Sequence, residues 1–267
     1  MRSFILFGFA FIATACSSSG PSPAPTGRKD PLIPFTVVRS YPHDTTAYTE
    51  GLLVHDGVLY ESTGSPANLP QTRSLFGAVD TATGRIDVKA ELDRDKHFGE
   101  GIAFLGGKVY QVTYQSRAAF VYDAATFKLL REVKLPTPDG WGLTTDGVHL
   151  VLSNGTSKIY FIDPATMKTV KTLIVRGRKG RTANLNELEL VKGDLYAVVW
   201  QTNHMVRIDT ATGAITGRVD LTSLVRDARK KYRGAKELNG MAYDAASGRV
   251  YITGKMWPHI YEIRLEQ

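Results

Sequence analysis

The chain of 267 residues has one cysteine, Cys16, so no disulfide can form within it. Its six histidines, His43, His55, His97, His149, His204 and His259, show no metal-ligand spacing and have no Cys partner, which argues against a catalytic zinc site. No Gly-x-Ser-x-Gly element offers a nucleophilic serine, and no glycine-rich loop offers a phosphate cradle. Long basic blocks are also missing. The net charge of +7 is spread along the chain, with only short clusters at 176–181 and 226–233. A nucleic-acid partner is therefore not expected, and the surplus reads as solvated surface.

Apolar residues make up 43% of the chain and aromatics 10%, enough for a substantial core. Charged residues are 22%, which argues against wholesale disorder. Arg2, the apolar run Phe4 to Ile12 and Ala13-Thr-Ala15 have the layout of a bacterial export signal over residues 1–15. That run is too short for a stable membrane span. Cys16 follows in a setting similar to a lipobox, with Ala13 where Leu is usual. The expectation is an exported, periplasmic lipoprotein, anchored to a membrane through Cys16 and not threaded through it, with plain cleavage after Ala15 as the alternative. Residues 16–32, rich in Ser, Pro and Gly, have the composition of a flexible tether.

Internal repeats organise the rest. Five segments open at Glu50, Glu100, Trp141, Asn186 and Asn239. Each has a polar or aromatic residue, a short apolar strand, a turn and a second apolar strand. The turns at His55-Asp-Gly57, Gly106-Gly107 and Lys192-Gly-Asp194 are tight hairpin signals. A second pattern of strand, Asp-x-Ala-Thr turn and strand interleaves with the first. Asp80, Asp123, Asp163 and Asp209 open those turns and are expected to accept backbone amides just ahead. Four short strands per repeat of roughly 40–53 residues predict an all-β fold, a five-bladed β-propeller over 33–267. The fifth unit lacks its fourth strand, so Phe35 to Arg39 is expected to supply it and close the ring. The charged stretch Leu221 to Glu237 predicts a short helix between blades four and five.

In a propeller the five repeat openings converge at one mouth of the central channel. That brings together Glu50, Glu100, Trp141, Asn186 with Glu187, and Asn239, a constellation no turn requires. Trp200-Gln201 and Lys255-Met-Trp257 end the second strands of blades four and five and join the same rim. An ammonium inside the apolar run VYITGKMWPHIYEI needs a carboxylate partner, because burying an unpaired charge is costly. The glycines flanking Glu100 are expected to turn the backbone tightly into the channel and leave room around the carboxylate.

The motifs FGEGI, GWGLTTDG, NLNELE followed by VWQT, LNGMAYD and TGKMWP stand in fixed order over residues 35–265. Together they resemble the plant and bacterial glutaminyl-peptide cyclotransferases, a family of five-bladed propellers. The resemblance implies an aminoacyltransferase that turns the N-terminal Gln of peptides or proteins into pyroglutamate with release of ammonia, as a monomer. It implies a catalytic set of Glu100 as proton shuttle with Lys255 and Asn186. Substrate contacts are implied from Tyr48, Glu50, Trp141, Glu187, Trp200, Gln201, Asn239 and Trp257. Glu50 is expected to hold the substrate ammonium and Glu187 is offered as the partner of Lys255. No catalytic cofactor is implied, and a structural calcium is left open. The competing readings are a metal-dependent lactonase-like propeller, whose Glu and Asn would hold a divalent ion, and a peptide-binding lipoprotein without activity.

Overall fold

The computed structural model describes residues 30–266. The export signal, Cys16 and most of the tether expected over residues 1–29 lie outside the described residues. Blade one comprises β2 (Thr49–His55), β3 (Val58–Thr63), β4 (Leu75–Val79) and β5 (Ile86–Glu91). Blade two comprises β6 (Phe98–Leu105), β7 (Lys108–Tyr114), β8 (Ala118–Asp123) and β9 (Leu129–Lys134). Blade three comprises β10 (Leu143–Thr145), β11 (Leu150–Ser153), β12 (Lys158–Ile162) and β13 (Thr169–Ile174). After a small ribbon, β14 (Arg176–Gly177) and β15 (Gly180–Arg181), come β16 (Leu185–Val191), β17 (Asp194–Val199), β18 (His204–Ile208) and β19 (Ile215–Asp220) of blade four. Blade five comprises β20 (Leu238–Asp244), β21 (Arg249–Gly254) and β22 (His259–Leu265), completed by β1 (Phe35–Pro42) from the other end of the chain. The closing pair is antiparallel, from Phe35 opposite Leu265 to Pro42 opposite His259. All five blades are four-stranded antiparallel sheets, so the ring is a five-bladed propeller.

Local chemistry explains the regularity. Asp56 and Gly57, Gly106 and Gly107, and Lys192 and Gly193 all have positive φ, the geometry that two-residue hairpins need. Asp80, Asp123, Asp163 and Asp209 each accept backbone N–H groups two or three residues on, as Asp209 does from Ala211 and Thr212 at 3.1 and 2.7 Å. The helix α1 (Thr222–Lys231) lies within the expected stretch and buries Leu224, Val225 and Ala228. Its last turn carries Arg229, Lys230 and Lys231, which suits the negative end of the helix dipole. The end of the expected tether is already docked on blade four. The Arg218 N–H donates to the Pro31 carbonyl and the Ile33 N–H donates to the Arg218 carbonyl, both at 2.8 Å.

The core is divided among blade interfaces. Leu53, Tyr60 and Phe76 of blade one meet Ile102, Phe104 and Val109 of blade two in one apolar cluster. Equivalent clusters join blades two and three, three and four, four and five with α1, and five and one. The inner strands β2, β6, β10, β16 and β20 stand side by side around the channel. They approach so closely that the residue after the site position must be glycine in three blades. A Cβ on Gly101 would stand 2.4 Å from the Leu143 nitrogen, and one on Gly142 would stand 2.2 Å from the Asn186 oxygen. Gly51 faces the Gly101 Cα at 3.0 Å in the same way. Gly99 and Gly101 do not have positive φ. They serve close approach between blades and not the tight turn expected of them.

Candidate active site

Four of the five repeat openings fall where the inner strand loses register with its neighbour; the blade-three opening at Trp141 precedes a strand pair without a shift. The pairing of β2 with β3 shifts between Thr49 and Gly51, and that of β6 with β7 between Gly99 and Ile102. The pairing of β16 with β17 shifts between Leu185 and Leu188, and that of β20 with β21 between Leu238 and Met241. Glu50, Glu100, Asn186 with Glu187, and Asn239 are thus bulge residues. A bulge re-aims a side chain and frees backbone groups from the ladder. In blade two those groups find new partners: Gly99 N–H donates to Ser74 Oγ at 3.1 Å, and Ser62 Oγ donates to the Glu100 carbonyl at 2.5 Å. The Gly101 N–H donates to the Trp141 carbonyl of blade three at 2.9 Å. Glu100 therefore sits on a backbone pinned from three sides.

The mouth holds a pocket of about 290 Å³ lined by Tyr48, Glu50, Pro66, Phe98, Glu100, Tyr114, Trp141, Asn186, Trp200, Glu237 and Lys255. Its floor is polar and buried. Lys255 Nζ donates to Glu50 Oε1 at 2.6 Å and lies 4.6 Å from the centre of the Tyr48 ring. Asn239 Nδ2 donates to Glu50 Oε2 at 2.8 Å, so both oxygens of Glu50 are engaged. By contrast, Glu100 Oε2, the Trp141 indole N–H and Asn186 Oδ1 are buried with no protein partner. Its wall is aromatic. Tyr48, Phe98, Tyr114, Trp141 and Trp200 follow one another edge to face, with ring centres 5.5–6.4 Å apart.

This setting fixes protonation. Burial pushes the Glu100 carboxyl well above the usual carboxylate range, and the nearby Glu50 carboxylate pushes in the same direction. Burial works against the Lys255 charge, but Glu50, Tyr48 and Glu100 outweigh it and hold the ammonium protonated. Burial also pushes the Glu50 carboxyl up to about 7 against the pull of Lys255, so the floor pairs Lys255 with a carboxyl that titrates near neutrality and sets beside it a Glu100 that holds its proton more tightly than usual.

Seven of the eleven expected site residues line this pocket: Glu100, Lys255, Asn186, Tyr48, Glu50, Trp141 and Trp200. Four do not. Glu187 reaches across the channel to blade one, where its Oε1 accepts the Leu52 N–H at 2.8 Å. It is not the partner of Lys255; Glu50 is. Glu50 lines the pocket and accepts one hydrogen bond at each oxygen, from Lys255 and from Asn239. Asn239 lies beneath the floor as a tie between blades five and one. Trp257 is fully buried, donates its indole N–H to the Lys236 carbonyl and packs on Gly254, so it supports Lys255 from behind. Gln201 is exposed outside the pocket, with its backbone at φ 63°. Pro66, Phe98, Tyr114 and Glu237 were not among the expected residues. Phe98 stands two residues before Glu100 in HFGEG, and its position in that motif was the available signal. Among the described residues no group of three or more His, Cys, Asp or Glu side chains has the arrangement to hold a metal ion.

Comparison with known proteins agrees with this geometry. The family model for glutamine cyclotransferase matches residues 9–265. A glutaminyl-peptide cyclotransferase of Arabidopsis thaliana is 38% identical over 233 residues, covering 86% of this chain and 71% of that protein. The crystal structure of the Myxococcus xanthus glutaminyl cyclase superposes with a TM-score of 0.80 at 29% identity, covering 89% of this chain and 99% of that one.

Proposed function

As the chain belongs to the glutamine cyclotransferase family, we propose that it converts the N-terminal glutamine of peptides and proteins into pyroglutamate and releases ammonia. The observation that carries this reading is the Glu100 carboxyl, buried on a pinned bulge with one oxygen left for a ligand. The reaction needs a proton carrier. The α-amino nitrogen attacks the side-chain amide carbon, so that the carbonyl becomes an oxyanion and the attacking nitrogen becomes cationic. That nitrogen must lose one proton, and the departing amide nitrogen must gain one before the C–N bond breaks. A single carboxyl performs both transfers: Glu100 gives its proton to the leaving group and takes the one shed by the new ring nitrogen. Its raised pKa brings it toward that of an α-amine, ordinarily about 7.7–8.0, so neither transfer is steeply uphill.

The remaining groups have matching tasks. Lys255 spends one N–H on Glu50 and presents the rest of its charge to the developing oxyanion. The Trp141 indole N–H is a second donor, and the Asn186 amide oxygen accepts from a substrate N–H. Ring closure is intramolecular, so the aromatic wall mainly selects a folded glutamine conformer and excludes water. We place the enzyme among the aminoacyltransferases, acting as a monomer without a catalytic cofactor. We also read it as exported and anchored through a lipid on Cys16. An ammonia-release assay on a Gln-initiated dipeptide, run with and without chelator, tests the reading. Turnover insensitive to chelator supports it. Activity lost to chelator and restored by calcium points to the lactonase-like alternative, and binding without ammonia release points to a peptide-binding protein.

A further inference from the structure

The pocket has one side that is not aromatic. The arc of rings runs from Tyr48 of blade one to Trp200 of blade four and stops there. The connector from α1 to β20 completes the circle and contributes Glu237. This strap is firmly held: Lys236 N–H donates to the Lys255 carbonyl and Lys255 N–H donates to the Glu237 carbonyl, both at 2.9 Å. Trp257 also donates to the Lys236 carbonyl at 3.1 Å. The backbone of Glu237 is thereby fixed beside the base of Lys255.

Its side chain is half-buried, and its carboxylate has no hydrogen-bond or ion-pair partner among the described residues. The other pocket residues outside the buried floor are a proline and five aromatic rings. Among the described residues Glu237 is therefore the only charged residue lining the pocket outside its buried floor, where the rest of the wall is aromatic apart from Pro66. The buried floor, with its free polar atoms on Glu100, Trp141 and Asn186, is taken up by the glutamine that reacts. A pocket of about 290 Å³ sits at the small end of ligand sites, so the rest of the peptide must leave through the mouth. The second residue then lies beside Glu237. A carboxylate facing aromatic rings is a receptor for a cation, by ion pairing on one side and cation–π attraction on the other.

We propose that Glu237 is a specificity residue that favours peptides with Lys or Arg directly after the N-terminal glutamine. The inference rests on the cyclase reading and adds a substrate class to it. The test compares kcat/KM for Gln-Lys, Gln-Ala and Gln-Glu peptides, by ammonia release, in the full chain and in Glu237→Gln. The wild type is expected to rank them Lys, Ala, Glu, with about tenfold between the extremes, and salt should compress the series. In E237Q the ratio of Lys to Glu should fall toward one, mainly through KM, and in Glu237→Lys it should invert. A ratio that E237Q leaves intact overturns the proposal. So does an equal loss on all three peptides, which would make Glu237 a holder of the α-ammonium or of the strap. If no peptide releases ammonia, the cyclase reading fails by itself. Calorimetric binding of the same peptides to wild type and E237Q then decides the preference, and equal affinities overturn it.

Discussion

Blades one and two open with nearly the same words, YTEGLLV and HFGEGIAF. Both place a glutamate on a bulge of the inner strand, and both follow it with a glycine pressed against the next blade. Yet Glu50 is bound at both oxygens by Lys255 and Asn239, whereas Glu100 keeps an oxygen with no protein partner. Local sequence sets where the carboxylate points. Its chemistry is set by what stands across the channel, more than 180 residues away in the case of Glu50. A satisfied carboxylate is a fixture that holds a charge in place, and an unsatisfied one is available to substrate.

The sharpest way to break this contrast is Glu100→Gln, which keeps shape and removes the proton carrier. Turnover should fall by about 10²–10⁴-fold, the usual worth of a general acid–base group, with little change in melting temperature. Near-normal ammonia release in that variant would remove Glu100 from the mechanism. Gly101→Ala attacks the shared scaffold: a methyl at 2.4 Å from a backbone nitrogen has nowhere to go. Overpacking of this kind costs about 3 kcal/mol, or roughly 6–12 °C in thermal denaturation of a chain this size. An unshifted Tm would show that the blades can move apart. Glu50→Gln should be milder. It keeps an acceptor for Lys255 and removes only the counter-charge, so kcat/KM should drop by roughly tenfold. A loss as large as that of E100Q would mean that both glutamates carry protons and that the contrast is false.

A further carboxyl of the inner strands extends the comparison. Glu189 meets only neutral donors, the Tyr243 N–H at 2.9 Å and the Thr144 hydroxyl at 3.2 Å. Burial pushes its pKa up to about 8 against those donors. In the unfolded chain a glutamate titrates near 4.3, so between these limits the folded protein holds a proton that the unfolded chain releases. Stability from this group is complete below the lower limit and is lost as pH rises toward 8. Glu189→Gln should flatten the fall of Tm between about pH 5 and pH 8. Parallel curves for variant and wild type would assign that fall to other groups.

Much of this was legible in the sequence because it is local or periodic. The hairpin glycines, the Asp turns, the missing fourth strand of the last blade and the convergence of the openings all follow from spacing. What escaped was pairing between blades. Lys255 called for a carboxylate, and Glu187 and Glu50 both lay at the right rim. Only the register of the bulges decides that Glu187 reaches Leu52 and Glu50 reaches Lys255. The glycines around Glu100 pointed to a turn, but Gly99 is pressed against the Thr63 carbonyl of blade one and Gly101 against Leu143 of blade three. Tyr114, Pro66 and Glu237 come from a strand end and from connectors, where no periodic pattern marks a residue's direction. Trp257 looked like a pocket aromatic because it follows Lys255 by two. The tight turn between them, with Met256 at φ 59°, sends it inward instead.

The seam of the ring has a further consequence. The first strand of the propeller pairs with the last, and the Glu50–Lys255 bond spans the neighbouring interface between blades five and one. Glu50 belongs to the first blade and Lys255 to the last, so a chain that stops before blade five can present the aromatic arc and Glu100 but not the ammonium beside them. The pocket is thus a certificate of completion: its floor is whole only when the first and last blades of the ring have met.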